Sequence, residues 1–125
     1  MVATSPEALQ QLWVNGGYDL DDIVAIYEPD ESFIVGPGHV DTGLAAIREA
    51  IGNLLVLKPH ATLELLSVVR TERIALLMSR WSLTGSNPDG TAADVAGQTS
   101  NVPRQQDDTW RFMIDNPWGD AAAVL

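Results

Sequence analysis

Apolar residues recur along the chain with two periods, and the change from one to the other falls at Pro59. Ahead of it the spacing is helical. Ala8, Leu9, Leu12 and Trp13 share a face behind Ser5-Pro6-Glu7, a start signal with proline at the first helical position, and Gly16-Gly17 ends the segment. A second helix is predicted from Asp19, an N-cap followed three residues later by Asp22, both acids lying where the helix dipole favours negative charge. Its buried face reads Leu20, Ile23, Val24 and Tyr27, and Pro29 ends it. Ser32-Phe33-Ile34-Val35 is too short for a helix and predicts a small strand. Beyond the Gly36-Pro37-Gly38 turn, His39-Val40 pairs back as a second. A third helix, capped by Asp41 or Thr42, carries the stripe Ile47, Ile51, Leu54 and Leu55, with Leu44 at its edge and Lys58-Pro59 at its end.

After Pro59 the period drops to two, which predicts strands. In residues 61–70, Leu63, Leu65, Ser67 and Val69 fall on one face, and Thr62, Glu64, Leu66, Val68 and Arg70 on the other. Glu72-Arg73 connects to a strand over 74–84, and Gly85 to Gly90 forms a hairpin loop. A third long strand covers 92–106, Asp107-Asp108 turns, and a fourth covers 109–116. Both faces of 74–84 are largely apolar, so the sheet is expected to be covered on both sides. Helices first and hairpins after them predict an α+β fold with an antiparallel meander.

Composition narrows the picture. A chain of 125 residues with 46% apolar and 19% charged positions fits one globular domain, here 1–119, with 120–125 as a frayed tail. The longest apolar stretch, around Ile51 to Leu57, contains Gly52 and Asn53 and falls short of the ~18 residues that span a bilayer. Met1 to Glu7 lacks the basic and apolar run of a signal peptide. With neither of these, no membrane partner is expected, and a net charge of −10 repels phosphate backbones, so nucleic acid is not expected as a partner either. The acids are scattered, which reads as solubility more than as attraction of a cationic ligand. No cysteine is present, which excludes a disulfide framework, a thiolate metal site and a cysteine nucleophile and fits a reducing cytoplasm, the expected location. The two histidines show no HxH, HxxxH or HxxE spacing, and Gly36-Pro37-Gly38 matches no phosphate or dinucleotide loop. Neither metal nor cofactor is expected.

The stretch YDLDDIVAIYEPDESFIVGPGHVDTGLAAIREAI resembles the opening of SnoaL-like and ketosteroid-isomerase-like proteins of the nuclear transport factor 2-like superfamily. The second half, RWSLTGSNPDGTAADVAGQTSNVPRQQDDTWRFMIDNPWG, resembles their last three strands. The resemblance implies a cone-shaped α+β barrel, a curved mixed or antiparallel sheet wrapped around three N-terminal helices with a pocket at one end. It also implies homodimers formed by packing sheets face to face. Alignment on these segments puts the isomerases' catalytic base near Gly36, which accepts no proton, and their phenol donor near Gln11 or Leu12. Their protonated acid falls near Asn101, whose amide can still donate a hydrogen bond. Steroid isomerisation is therefore not expected.

Several residues remain as candidates for the chemistry. His39 follows the turn near the expected mouth, as a general acid or base or as an exposed turn histidine. Asp115, at a strand end, is either a catalytic carboxylate or the side chain of an Asx turn before Pro117. If Phe112 and Ile114 face inward, strict alternation turns Asp115 outward, and a bulge near Asn116 would reverse that. Asn101 is the candidate oxyanion donor. Of the four tryptophans, Trp118 aligns with an aromatic position at the isomerases' pocket rim, Trp81 and Trp13 are further candidates for the pocket, and Trp110 reads as structural. Tyr27, Phe33, Thr99 and Ile114 complete the expected ligand-binding set. Thr99 and Asn101 share a strand face, expected to be concave, with Gln98 and Ser100 opposite.

Three functions follow from this reading. One is a small-molecule-binding domain holding an apolar or aromatic compound. Another is an isomerase, cyclase or hydrolase acting on a hydrophobic carbonyl or polyketide-like substrate. The third is a protein-interaction module. An enclosed cavity with an inward carboxylate or imidazole favours the enzyme. A cavity lined only by Trp, Leu and Thr favours binding, and a filled core with a flat apolar face favours interaction.

Overall fold

The helical and alternating periods sort into two layers. In a computed structural model, which describes residues 3–15, 19–36 and 39–119, the order is α1 (Pro6–Asn15), α2 (Leu20–Val24), β1 (Tyr27–Gly36), β2 (His39–Thr42), α3 (Leu44–Leu55), β3 (His60–Arg70), β4 (Ala75–Ser86), β5 (Ala92–Gln106) and β6 (Thr109–Asp115). The Gly-Gly stop, the turn at Pro37-Gly38 and the tail at 120–125 lie outside the described residues. The strands form one six-stranded sheet in the order β2-β1-β6-β5-β4-β3. Only β1 and β6 pair in parallel; the other neighbours are antiparallel. The sheet curls as a cone around the helices. Leu9 of α1, Ile23 of α2 and Ile47 and Ile51 of α3 bury themselves against Leu77, Trp110 and Phe112. Burial of side chains of this size contributes roughly 1.5–3 kcal/mol each.

The first helix starts as its proline predicts, and Asp19 caps α2 by accepting from the Asp22 amide. That second helix is shorter than its periodicity predicts. It stops at Val24, and Tyr27 opens a strand instead of closing a helix. The β6 backbone captures the chain here, since the Phe112 amide donates to the Ile26 carbonyl at 2.8 Å. Pro29, expected to end the helix, lies within β1, in the stretch where the β1–β6 register shifts. Helix α3 is capped by neither Asp41 nor Thr42. Thr42 is still paired with Ser32 in the sheet, so the reversal falls on Gly43, whose φ of 92° excludes most side chains.

Two register shifts overturn strict alternation. In β3, Leu65 pairs Ser79 and Ser67 pairs Met78, so Leu66 is an extra residue. Leu63 and Leu65 therefore share the inner face with Val68 and Arg70, not with Ser67 and Val69. Val68 packs on the core, and the Arg70 guanidinium lies 5.0 Å from the Trp110 ring centroid. In β6, Phe112 pairs Pro103 and Ile114 pairs Val102, which leaves Met113 as the extra residue. Phe112 and Asp115 both end up buried, and Ile114 turns out to the convex face. Within a single chain that face is uncovered: Val69 is 58% exposed, Met78 42% and Leu76 36%.

Candidate functional site

Helices α1 and α3 stand off the concave sheet and leave a cavity of about 270 Å³. Trp13, Phe33, Leu54, Leu63, Trp81, Leu83, Val95, Phe112 and Trp118 make its wall apolar and largely aromatic. Six polar side chains interrupt that wall: Thr62 and Ser82, which hydrogen-bond to each other, and Gln10, Thr99, Asn101 and Asp115. Among the described residues no lysine, arginine or histidine lines it.

Asp115 reaches the cavity because of the extra residue at Met113, without which it would face outward. The Asx turn that could have consumed it is made by its neighbour. Asn116 Oδ1 accepts from the Trp118 amide at 3.2 Å, and Asn116 Nδ2 donates to the Gly119 carbonyl at 3.0 Å. Asp115 is instead 5% exposed, and its Oδ2 accepts from the Tyr27 hydroxyl at 2.6 Å. Tyr27 Oη in turn accepts from Trp13 Nε1 at 2.9 Å. Loss of water around the carboxylate raises its pKa to about 6, against the lowering effect of the Tyr27 bond. A carboxyl with that pKa exchanges its proton readily near neutrality.

Asn101 lies beside it. Its Oδ1 accepts from the Asn116 amide at 2.7 Å, which orients the side chain and leaves Nδ2 to donate into the cavity that Asn101 lines. Deeper in the wall, Ser79 donates through its hydroxyl to Gln10 Oε1, and Gln10 Nε2 donates to Thr99 Oγ1 at 3.4 Å. Thr99 Oγ1 also accepts from the Ser79 amide at 3.0 Å. The rim is fixed by Trp81, whose Nε1 donates to the Pro117 carbonyl at 2.6 Å and whose ring meets Trp118 edge-on at 5.6 Å. Gly97 makes that seat possible, since a Cβ there would come within 3.0 Å of the Pro117 oxygen and 3.2 Å of the Trp81 ring.

Most of the residues singled out from sequence converge here. Asp115, Asn101, Trp118, Trp81, Phe33, Thr99 and Trp13 line the cavity, and Tyr27 stands behind the wall as the hydrogen-bond partner of Asp115. Two do not. Ile114 is on the convex face for the register reason given above. His39 has a side chain 67% exposed, pairs with Asp41 at 3.2 Å and borders a shallow surface recess with Glu49 and Asn53. Gln10 was overlooked. Its signal was a polar residue three positions before Trp13, on the face of α1 that turns inward. Among the described residues no group of three or more His, Asp or Glu is placed to hold a metal ion, and no helix is long and apolar enough to cross a membrane.

No family model matches this sequence, and no curated protein matches it. Solved structures do. A candidate calcium/calmodulin-dependent protein kinase type II association domain from Thiobacillus denitrificans superposes with a TM-score of 0.75 at 17% identity, covering 93% of this chain and 95% of the other. A ketosteroid isomerase-like protein from Erwinia carotovora atroseptica gives 0.70 at 19% identity, over 86% and 84%. A candidate dehydratase of the nuclear transport factor 2-like family from Streptomyces avermitilis gives 0.72 at 14% identity, over 88% and 90%. The chain adopts the nuclear transport factor 2-like fold. At these identities the likeness carries the fold and not the activity.

Proposed function

We propose that the cavity binds a small, neutral, largely apolar carbonyl compound, and that Asp115 moves a proton at a carbon beside the carbonyl while Asn101 donates to its oxygen. The chemistry is that of an isomerase or dehydratase. The observation that carries it is the placement of Asp115: a carboxyl buried in an apolar wall, held by Tyr27, with a pKa of about 6. A cavity serving only to bind an apolar molecule gains nothing from a buried carboxylate, whose desolvation is unfavourable. Ionised Asp115 accepts the proton, and the Asn101 amide stabilises the negative charge that develops on the oxygen. The lack of a cationic side chain on the described wall fits a neutral ligand better than a carboxylate or phosphate.

Deuterium uptake at the carbon next to the carbonyl of tetralone, followed by NMR in heavy water, tests this reading. The protein should accelerate uptake, with a rate that rises with pH through about 6 as Asp115 ionises. Asp115→Asn should lower the acceleration by at least ~100-fold. No acceleration, or a loss of only about threefold in the variant, removes Asp115 as the proton carrier. Tetralone binding without exchange would leave a binding protein.

A further inference from the structure

The Gln10–Ser79–Thr99 cluster has a hydrogen-bond balance that does not close within the protein. A hydroxyl accepts two hydrogen bonds and donates one. Thr99 Oγ1 uses both acceptor positions, on the Ser79 amide at 3.0 Å and on Gln10 Nε2 at 3.4 Å. Its proton meets no acceptor among the described residues, and the second Nε2 hydrogen of Gln10 is likewise left over. Both residues line the cavity. Turning the Gln10 amide over would let Thr99 donate to Oε1, but would strand the proton of Ser79. Ser79 is 0% exposed and does not line the cavity, so that orientation buries an unpaired donor, at a cost of about 1–3 kcal/mol. The orientation described puts the spare donors where a ligand can take them.

We propose that Thr99 and Gln10 form a second polar subsite that receives an uncharged carbonyl oxygen, so that the preferred ligand is an apolar molecule with two carbonyl groups. This rests on the cavity being a ligand site, as argued above, but not on Asp115 being the proton carrier. Asn101 and Thr99 are two residues apart on the same face of β5, so the two donor sites are about 7 Å apart along the strand. One carbonyl sits beside Asp115 and Asn101, the other at Thr99 and Gln10. A carboxylate at the second position would lie in the same cavity as Asp115, with no cation on the described wall to balance it.

Calorimetric titration with naphthalene, tetralone and para-naphthoquinone, which carry no, one and two carbonyl groups, tests this without any variant. The naphthoquinone should bind about tenfold more tightly than tetralone, the value of one neutral hydrogen bond. Thr99→Val should cost the naphthoquinone more affinity than it costs tetralone, so that the ratio of the two falls from about ten to about one, and Thr99→Ser should restore the preference. Equal affinity of the wild-type chain for the one-carbonyl and two-carbonyl probes overturns the subsite. So does an equal loss of all three probes in Thr99→Val, which marks packing damage. If none of the three binds, the cavity is not a ligand site and both proposals fall. Discrimination in titration together with absent deuterium uptake removes proton transfer and keeps the subsite.

Discussion

At the inner end of β6 a carboxyl is enclosed by Tyr27, Phe112 and Trp118; at the start of β2 an imidazole stands two-thirds in water beside Asp41. Both have a partner within hydrogen-bond distance, and each lines a hollow that α3 also borders. The difference is solvent. Water around His39, whose side chain is 67% exposed, screens its pair with Asp41. Around Asp115 there is little water, and the protein itself decides how readily the charge forms. Enclosure, more than chemical type, is therefore what separates the two groups.

That contrast has its largest consequence in stability. Asp115 has a folded pKa of about 6 against an ordinary 3.8, so between these values the folded chain holds a proton that the unfolded chain has released. The folded state then binds more protons than the unfolded one, and stability falls as pH rises. The contribution is fully present below 3.8 and is lost as pH passes 6. Its size is about 3 kcal/mol, at about 1.4 kcal/mol per pH unit of pKa difference. Urea unfolding of the wild type and of Asp115→Asn from pH 3.5 to 7 should show a difference curve with this slope. A flat difference curve would place Asp115 in water and erase the contrast with His39.

Tyr27 sharpens the comparison, since it is the polar support that keeps the carboxylate accessible at all. Tyr27→Phe removes a hydrogen bond to a charged acceptor, worth about 1.5–3 kcal/mol, and leaves the desolvation in place. The midpoint of the deuterium-uptake profile should move upward by on the order of one pH unit. Uptake at pH 8, where the carboxyl is ionised in both proteins, should change much less. A loss that is the same at every pH would make Tyr27 a wall residue with no influence on the proton.

Much of this contrast was open to reading from the residues, and the parts that were not share a cause. The β5 limits, the Asp19 cap and the pairing of His39-Val40 with the preceding strand follow from turn residues and alternation, which are local. The side chains that actually face the cavity depend on the extra residues at Leu66 and Met113. Nothing in Leu65-Leu66-Ser67 or Phe112-Met113-Ile114 favours a bulge at one position over the next, because each segment offers apolar residues to both faces. A slip of one residue exchanges the faces, so Asp115 and Ile114 traded places while the four long strands stayed close to where expected. Tyr27 escaped for a related reason. It continues the apolar stripe of α2, and only pairing with β6, distant in the chain, converts it to a strand residue.

His39 supplies the smallest effect, and it bounds the whole contrast from below. An exposed ion pair of this kind contributes about 0–1 kcal/mol. His39→Ala should therefore shift urea unfolding by less than about 1 kcal/mol and leave tetralone uptake within about twofold of wild type at every pH. The recess it borders shares Ala50 with the cavity wall, so α3 is the route by which an effect could pass between them. A tenfold loss of uptake in His39→Ala, with stability unchanged, would mean that the imidazole takes part in the proton movement. Enclosure would then no longer separate the reactive group from the inert one. If both quantities stay put, the working chemistry of the molecule is confined to the face of the sheet that Met113 turns Asp115 toward.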